Sequence, residues 1–207
     1  MEKKKVILFG GTFDPIHLGH TTVASYVCNY IGAEKTIFIP AKRSVLKDFA
    51  PKANDLQRYE MLSLAIAGND KFELNDYEIK KTKPSFTLDT VKYFKTKLNP
   101  QYDLYWLIGA DAIIDFPLWY KVEELIDTCN LCVIYRAGFP KPDLSSFKGK
   151  WGTQRVEKMQ KNIIETPLID ISSTKIRKLL AQNKDVNDML DPSVAKYIET
   201  HRMYQQS

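Results

Sequence analysis

Val6-Ile7-Leu8-Phe9 is a continuous apolar run that stops at two adjacent glycines, Gly10-Gly11. A short run with no polar alternation predicts a strand covered on both faces, and such strands belong to parallel sheets with helices on each side. The next segment supports this. Val23, Ala24, Val27, Cys28 and Ile31 recur at helical spacing, with Gly32 placed to end the helix. Thr36-Ile37-Phe38-Ile39-Pro40 then predicts a second strand, so the first 40 residues form one βαβ unit.

The alternation continues. Asn54 is positioned to cap a helix that runs through Ala67 and stops at Gly68, and Phe72 to Ile79 is expected to be extended. Thr87 to Leu98 has helical character, Tyr102 to Ile108 predicts a buried strand, and a short helix from about Leu118 to Ile126 leads to a strand over Leu131 to Tyr135. Ala137 to Gly152, rich in Pro, Gly, Ser and Lys, is expected to be an exposed loop. Strand character returns over Ile163 to Ile171, Ser172 opens a helix to Ala181, and Asp191-Pro192 begins a last helix through His201. The expected fold class is α/β, an open, mainly parallel sheet with helices on both faces. Residues 1–207 are expected to form a single domain, with the core over 1–171 and a small C-terminal helical segment over 172–207.

Composition removes several function classes. The chain of 207 residues is 44% hydrophobic, and its longest apolar stretches fall far below the roughly 18 residues of a membrane span. The first apolar run is too short for a secretory signal, so a cytoplasmic protein is expected. Three cysteines suit a reducing compartment rather than a disulfide framework. Cys129 and Cys132 have redox or zinc spacing, but they sit at a strand start without a partner pair, which favours core packing. The net charge of +5 is local: residues 41–52 carry +3 and residues 141–161 carry +4, leaving −2 for the rest. Local basicity fits either an anionic ligand or solvated basic loops.

In open α/β sheets ligands gather beyond the carboxyl ends of the strands. Three such ends stand out: Gly10 to His20, Gly109-Ala110-Asp111, and Ile171 to Arg177. Two glycines after a buried strand allow close backbone approach, and the following helix offers free N–H groups to an anion. The spacing fits neither GxGxxG nor GxxxxGK[ST]. Its distinguishing part is His17-Leu18-Gly19-His20, in which two imidazoles can share one side of a helix start, with Gly19 leaving room for a bulky ligand. Zinc would need a third ligand, and neither HExxH nor a local Cys/His partner is present. A plain histidine pair at a helix cap is the other alternative.

Gly-Gly-Thr-Phe-Asp-Pro-Ile-His-Leu-Gly-His at 10–20 and Ile-Ser-Ser-Thr-Lys-Ile-Arg at 171–177 resemble the paired motifs of the HxGH nucleotidyltransferases, whose core is Rossmann-like. Within that superfamily the chain most resembles the bacterial nicotinate-nucleotide adenylyltransferases, along nearly its whole length. Ser85-Phe86-Thr87-Leu88-Asp89-Thr90 is similar to their acceptor motif, and Gly109-Ala110-Asp111 with Trp119 resembles their Gly-x-Asp and tryptophan pair. Two departures stand out: Phe86 for the usual Tyr, and Val45 for Pro in Ser44-Val45-Leu46-Lys47.

The resemblance implies adenylyl transfer from ATP to the 5′-phosphate of nicotinate mononucleotide. It implies His17 and His20 as catalytic residues. ATP contacts would come from Gly10, Gly11, Thr12, Phe13, His17, His20, Gly109, Asp111, Ile171, Ser172, Ser173, Thr174 and Arg177. Lys47, Phe86, Thr87, Trp119, Tyr120 and Arg136 would serve the acceptor. For Asp111 the competing role is an N-cap, for Trp119 core packing, and for Thr87 ordinary capping. Mg²⁺ is expected with ATP, held by phosphate oxygens and water, because no carboxylate cluster offers a protein cage. The implied partners are small molecules, with no membrane or nucleic acid. Nicotinamide mononucleotide and phosphopantetheine are the alternative acceptors. A nucleic-acid-binding module would explain the basic stretches, but it calls for interleaved aromatic and basic residues that the sequence lacks.

Overall fold

The computed structural model describes residues 3–42, 50–83, 85–98 and 100–205. Six strands form one sheet in the order β3-β2-β1-β4-β5-β6, with every neighbouring pair parallel. They are β1 (Lys4–Gly11), β2 (Lys35–Pro40), β3 (Phe72–Leu74), β4 (Tyr102–Gly109), β5 (Asn130–Arg136) and β6 (Ile163–Thr166). The helices are α1 (Leu18–Tyr30), α2 (Asp55–Ile66), α3 (Thr87–Lys97), α4 (Val122–Thr128), α5 (Lys148–Trp151), α6 (Thr153–Gln160), α7 (Ser173–Leu180) and α8 (Pro192–Thr200).

The continuous apolar run of β1 is explained by its two faces. Val6 and Leu8 pack with Leu88, Val91 and Phe94 of α3, whereas Ile7 packs with Val27 and Cys28 of α1. Strand order reverses between β1 and β4, whose ends therefore border the crevice where ligands of such sheets collect. The segment after β6 closes over one side of that crevice. Ile176, Val194, Ile198 and Met203 share a core cluster with Phe13, Ile16 and Met61.

Several expected boundaries move. β3 ends at Leu74 and β6 at Thr166, so each edge strand is shorter than its apolar pattern. Pro117 sits in a 3-10 turn and Lys121 takes φ +48, delaying α4 to Val122. The largest correction concerns Ala137 to Gly152, which is not an open loop: it contains a 3-10 turn over Ser145–Phe147 and then α5. Trp151 is buried there, edge-on to Phe116 and stacked on Phe147. Leu144, Phe147 and Trp151 recur at helical spacing, and their burial outweighs the loop-forming composition.

Much of the second basic stretch has a structural role. Arg155 pairs with Asp127 and Glu123, while Lys158 Nζ donates to the Ile126 and Cys129 carbonyls at 2.6 and 2.8 Å. These bonds fasten α6 to the end of α4 and give its last carbonyls a donor. Cys129 and Cys132 are core residues, with thiols pushed up to about 12 by burial. Among the described residues no helix is long and apolar enough to cross a membrane.

Candidate active site

The turn after β1 is built around missing side-chain atoms. A Cβ on Gly11 would lie 2.8 Å from the Phe13 ring, and one on Gly10 would lie 2.5 Å from Trp106. Phe13 itself takes φ +49, a strained conformation for a bulky residue. Burial of its ring, edge-on to Phe9 and His20, holds it there. Gly11 and Thr12 are therefore half-buried in the turn, with the buried Phe13 ring packed against Gly11.

His17 is the N-cap of α1, and the pair is arranged as a capping box whose side-chain bond comes from the His20 side. His20 Nδ1 accepts from the His17 backbone N–H at 3.3 Å, and the two rings stack. The cap alternative and the shared-side alternative thus describe one arrangement. The expected role of Gly19 changes: a Cβ there would sit 3.0 Å from His17 Nδ1 and 3.3 Å from Ile169, so the glycine makes room for the His17 ring. His17 is buried, and burial together with the Arg136 charge lowers its pKa to about 4. It is neutral at pH 7. Its Nδ1 has no hydrogen-bond partner among the described residues.

α7 brings the second motif to the first. Ser173 Oγ donates to the Pro15 carbonyl at 2.9 Å, and Arg177 donates to the Asp14 carbonyl at 2.6 Å. Ser172 caps α7 through the Lys175 N–H, and Thr174 Oγ1 accepts from Arg177. Exposed Ser172 and Thr174, half-buried Ile171 and the two imidazoles therefore lie around one turn.

Arg58 and Asp14 carry roles that sequence reasoning missed. Arg58, on α2, is fully buried and donates to the Thr12 carbonyl at 2.8 Å, with Asp55 as its counter-ion. A sequence signal existed: Arg58 falls on the same stripe as Met61, Leu62 and Ile66, where a cation needs partners. Asp14 is also buried and accepts from the Lys52 and Ala53 backbone N–H groups at 2.8 and 3.0 Å.

At the end of β4, Asp111 is exposed in a 3-10 turn whose N-cap is Gly109, so the N-cap alternative fails. Its carboxylate folds over Gly109, where a Cβ would meet Oδ1 at 2.3 Å. Nearby, Phe86 is the N-cap of α3 and provides no side-chain bond, so ordinary capping by Thr87 is also excluded. Phe86 stacks on Tyr120 at 4.5 Å between centroids, joining the two predicted acceptor segments. Trp119 is half-buried, packs 5.2 Å from Phe116, and has an indole N–H without a partner among the described residues. Core packing and an available ring are thus both features of Trp119. Arg136 is exposed at the end of β5, with its charge acting on His17 and Asp170.

Lys47 lies outside the described residues. Among the described residues no group of three or more His, Cys, Asp or Glu is placed to hold a metal ion. Buried Glu78 accepts from Thr90 of the acceptor motif at 2.5 Å, and burial raises its pKa to about 7. Nothing in the local sequence marked it.

Comparison with known proteins extends the match beyond these motifs. The cytidylyltransferase-like family model matches residues 8–179. A Caldicellulosiruptor bescii protein named "Probable nicotinate-nucleotide adenylyltransferase" is 37% identical over 206 residues, covering 97% of this chain and 98% of that one. A Clostridium tetani protein of the same name is 37% identical over 203 residues, covering 97% and 99%. Plasmodium falciparum nicotinic acid mononucleotide adenylyltransferase, solved complexed with NaAD, has the same fold, with a TM-score of 0.74 at 23% identity and 97% coverage of both chains. From the near-complete overlap at this identity, the chain belongs to the cytidylyltransferase-like family and, within it, to the nicotinate-nucleotide adenylyltransferases.

Proposed function

We propose that the chain transfers the adenylyl group of ATP to the 5′-phosphate of nicotinate mononucleotide, forming deamido-NAD and releasing pyrophosphate. The observation that carries this assignment is the full-length likeness to named nicotinate-nucleotide adenylyltransferases. The convergence of the His17/His20 pair with the start of α7 supports it.

An acceptor phosphate oxygen attacks the α-phosphorus of ATP, and the bond to the pyrophosphate oxygen breaks. The acceptor is already largely ionised, with a second phosphate pKa of about 6, so the reaction needs neither a covalent nucleophile nor a strong base. Positioning and charge stabilisation supply the rate enhancement. Backbone around Gly11 to Phe13 approaches the triphosphate, and His20 steadies charge developing on the α-phosphoryl oxygens. Neutral His17 enters as a hydrogen-bonding ring, and a bound polyanion favours its protonated form.

The start of α7 and Arg177 receive the β- and γ-phosphates, and Asp111 accepts from the ribose hydroxyls. ATP enters as its Mg²⁺ complex, the ion being held by phosphate and water. On the acceptor side, open N–H groups at the start of α3 meet the nicotinate carboxylate, and Trp119 with the Phe86–Tyr120 stack borders the pyridine ring. Arg136 adds charge beside the phosphate path. The reaction is assigned to the cytoplasm and needs neither membrane nor nucleic acid.

The test is pyrophosphate release from ATP·Mg²⁺ with nicotinate mononucleotide, nicotinamide mononucleotide and phosphopantetheine assayed in parallel. Preference for the acid is expected. Preference for phosphopantetheine refutes the assignment, and preference for the amide changes the acceptor.

A further inference from the structure

The turn after α8 reaches into the heart of the phosphate site. Tyr204 Oη donates to Asp14 Oδ1 at 2.7 Å, across 190 residues of sequence. The contact is anchored on both sides. Met203 is buried in the cluster that contains Phe13, and its N–H donates to the Ile198 carbonyl at 3.0 Å. Arg202 and Tyr204 take φ +50 and +62, an unusual pair of left-handed residues that turns the chain back onto the site. Burial and the adjacent carboxylate hold the Tyr204 phenol well above its usual range, so it stays a donor.

Asp14 faces a choice of partners. Its carboxylate receives Tyr204 and the Lys52 and Ala53 N–H groups, while Arg177 Nη1 stands 3.8 Å from Oδ2 and bonds instead to the Asp14 backbone carbonyl. That separation lies beyond a hydrogen bond, so the carboxylate and guanidinium are neighbours without the close fork geometry of a full pair. Removing the phenolic hydroxyl leaves Oδ1 with the Ala53 N–H but one donor fewer in a buried place, and Arg177, 3.8 Å from Oδ2, is a cation close enough to compensate.

We propose that Tyr204 is a positioning residue: by occupying Asp14 it keeps the Arg177 guanidinium from being captured by that carboxylate, and so keeps it available to ATP. The proposal rests on the phosphate-site assignment for Arg177 made above. It extends the site to the turn after α8, which none of the nucleotide motifs includes.

A double-mutant cycle on ATP·Mg²⁺ affinity, measured by calorimetry without acceptor, tests this. Tyr204→Phe keeps the ring and removes only the hydroxyl. Arg177→Gln keeps a donor for the Asp14 carbonyl and removes the charge that Asp14 would capture. Tyr204→Phe is expected to weaken ATP about fivefold in the wild-type background and less than twofold in Arg177→Gln, because coupled residues are non-additive. In steady-state assays the same variant should raise KM for ATP and leave KM for the acceptor within twofold.

Equal losses in the two backgrounds, unchanged ATP affinity, or a lowered melting temperature with both KM values intact would each overturn the proposal and leave Tyr204 a packing residue. A parallel wild-type assay separates this result from the functional assignment. Wild-type protein that binds ATP but makes no dinucleotide overturns the acceptor assignment alone, and wild-type protein that binds no ATP overturns both.

Discussion

The imidazoles of His17 and His20 lie face to face, 3.7 Å between centroids and 27° between planes. One ring is buried and neutral, while its neighbour is only partly buried and also completes the capping box. The pair thus combines a helix-start constraint with the position proposed to steady transition-state charge.

His20→Ala separates these effects. Loss of the cap bond should cost about 1 kcal/mol of stability. Loss of charge stabilisation should cost on the order of 3 kcal/mol in the barrier, roughly a hundredfold in kcat. Turnover with ATP and nicotinate mononucleotide, set against urea denaturation, checks the ratio; near-normal turnover would remove His20 from the catalytic set.

His17 should produce an acid-side loss of stability. Its pKa is about 4 in the folded protein and near 6.5 unfolded, so above pH 6.5 both states are neutral. As pH falls from 6.5 to 4, the unfolded chain takes up a proton that the folded one does not, and stability drops by about 3 kcal/mol in total. His17→Asn places a residue suited to the N-cap there without this titration. Urea midpoints at pH 7.5, 5.5 and 4.5 should fall less steeply for the variant; identical profiles would contradict the burial account.

The contrast between these histidines and Arg58 shows what the sequence carried. The β1 strand, the glycine turn, His17/His20 and the Ser172 helix start were legible because each is a local pattern of strand, turn or cap. Arg58 with Thr12, and Tyr204 with Asp14, span 46 and 190 residues, and no local periodicity encodes such partners. Gly19 was legible as a need for space, but its occupant, the His17 ring, was not. Over residues 137–152 the Lys, Gly and Ser content masks the Leu144, Phe147 and Trp151 stripe that packs into the core.

Glu78 predicts the opposite pH behaviour from His17. Its pKa rises to about 7 in the fold, mainly through burial, opposed by the Thr90 bond and the Lys81 charge. Below the unfolded value of 4.5 both states are protonated. Stability is then lost as pH rises toward 7, reaching about 3 kcal/mol. Glu78→Gln preserves an acceptor for Thr90 and removes the charge. It should be more stable than the wild type at pH 8, with the difference vanishing near pH 4.5. A destabilised variant at pH 8 would mean that the ionised carboxylate is better solvated than its burial implies.

Phe86 and Trp119 border the same proposed pocket but differ in what supports them. Trp119 leans on Phe116 within the main core, so Trp119→Ala should lower stability by about 2 kcal/mol as well as weaken the acceptor. Phe86 stacks on Tyr120, itself 44% exposed, so Phe86→Ala removes less buried contact. Its expected signature is a several-fold higher KM for nicotinate mononucleotide, unchanged KM for ATP and a melting temperature within a few degrees of wild type. Phe86→Tyr should stay within twofold, because the stack supplies the wall and a phenol retains it. Should Phe86→Ala raise KM for ATP as much as for the acceptor, the stack would be supporting the nucleotide turn as a whole, and the pyridine would have to be placed against Trp119 alone.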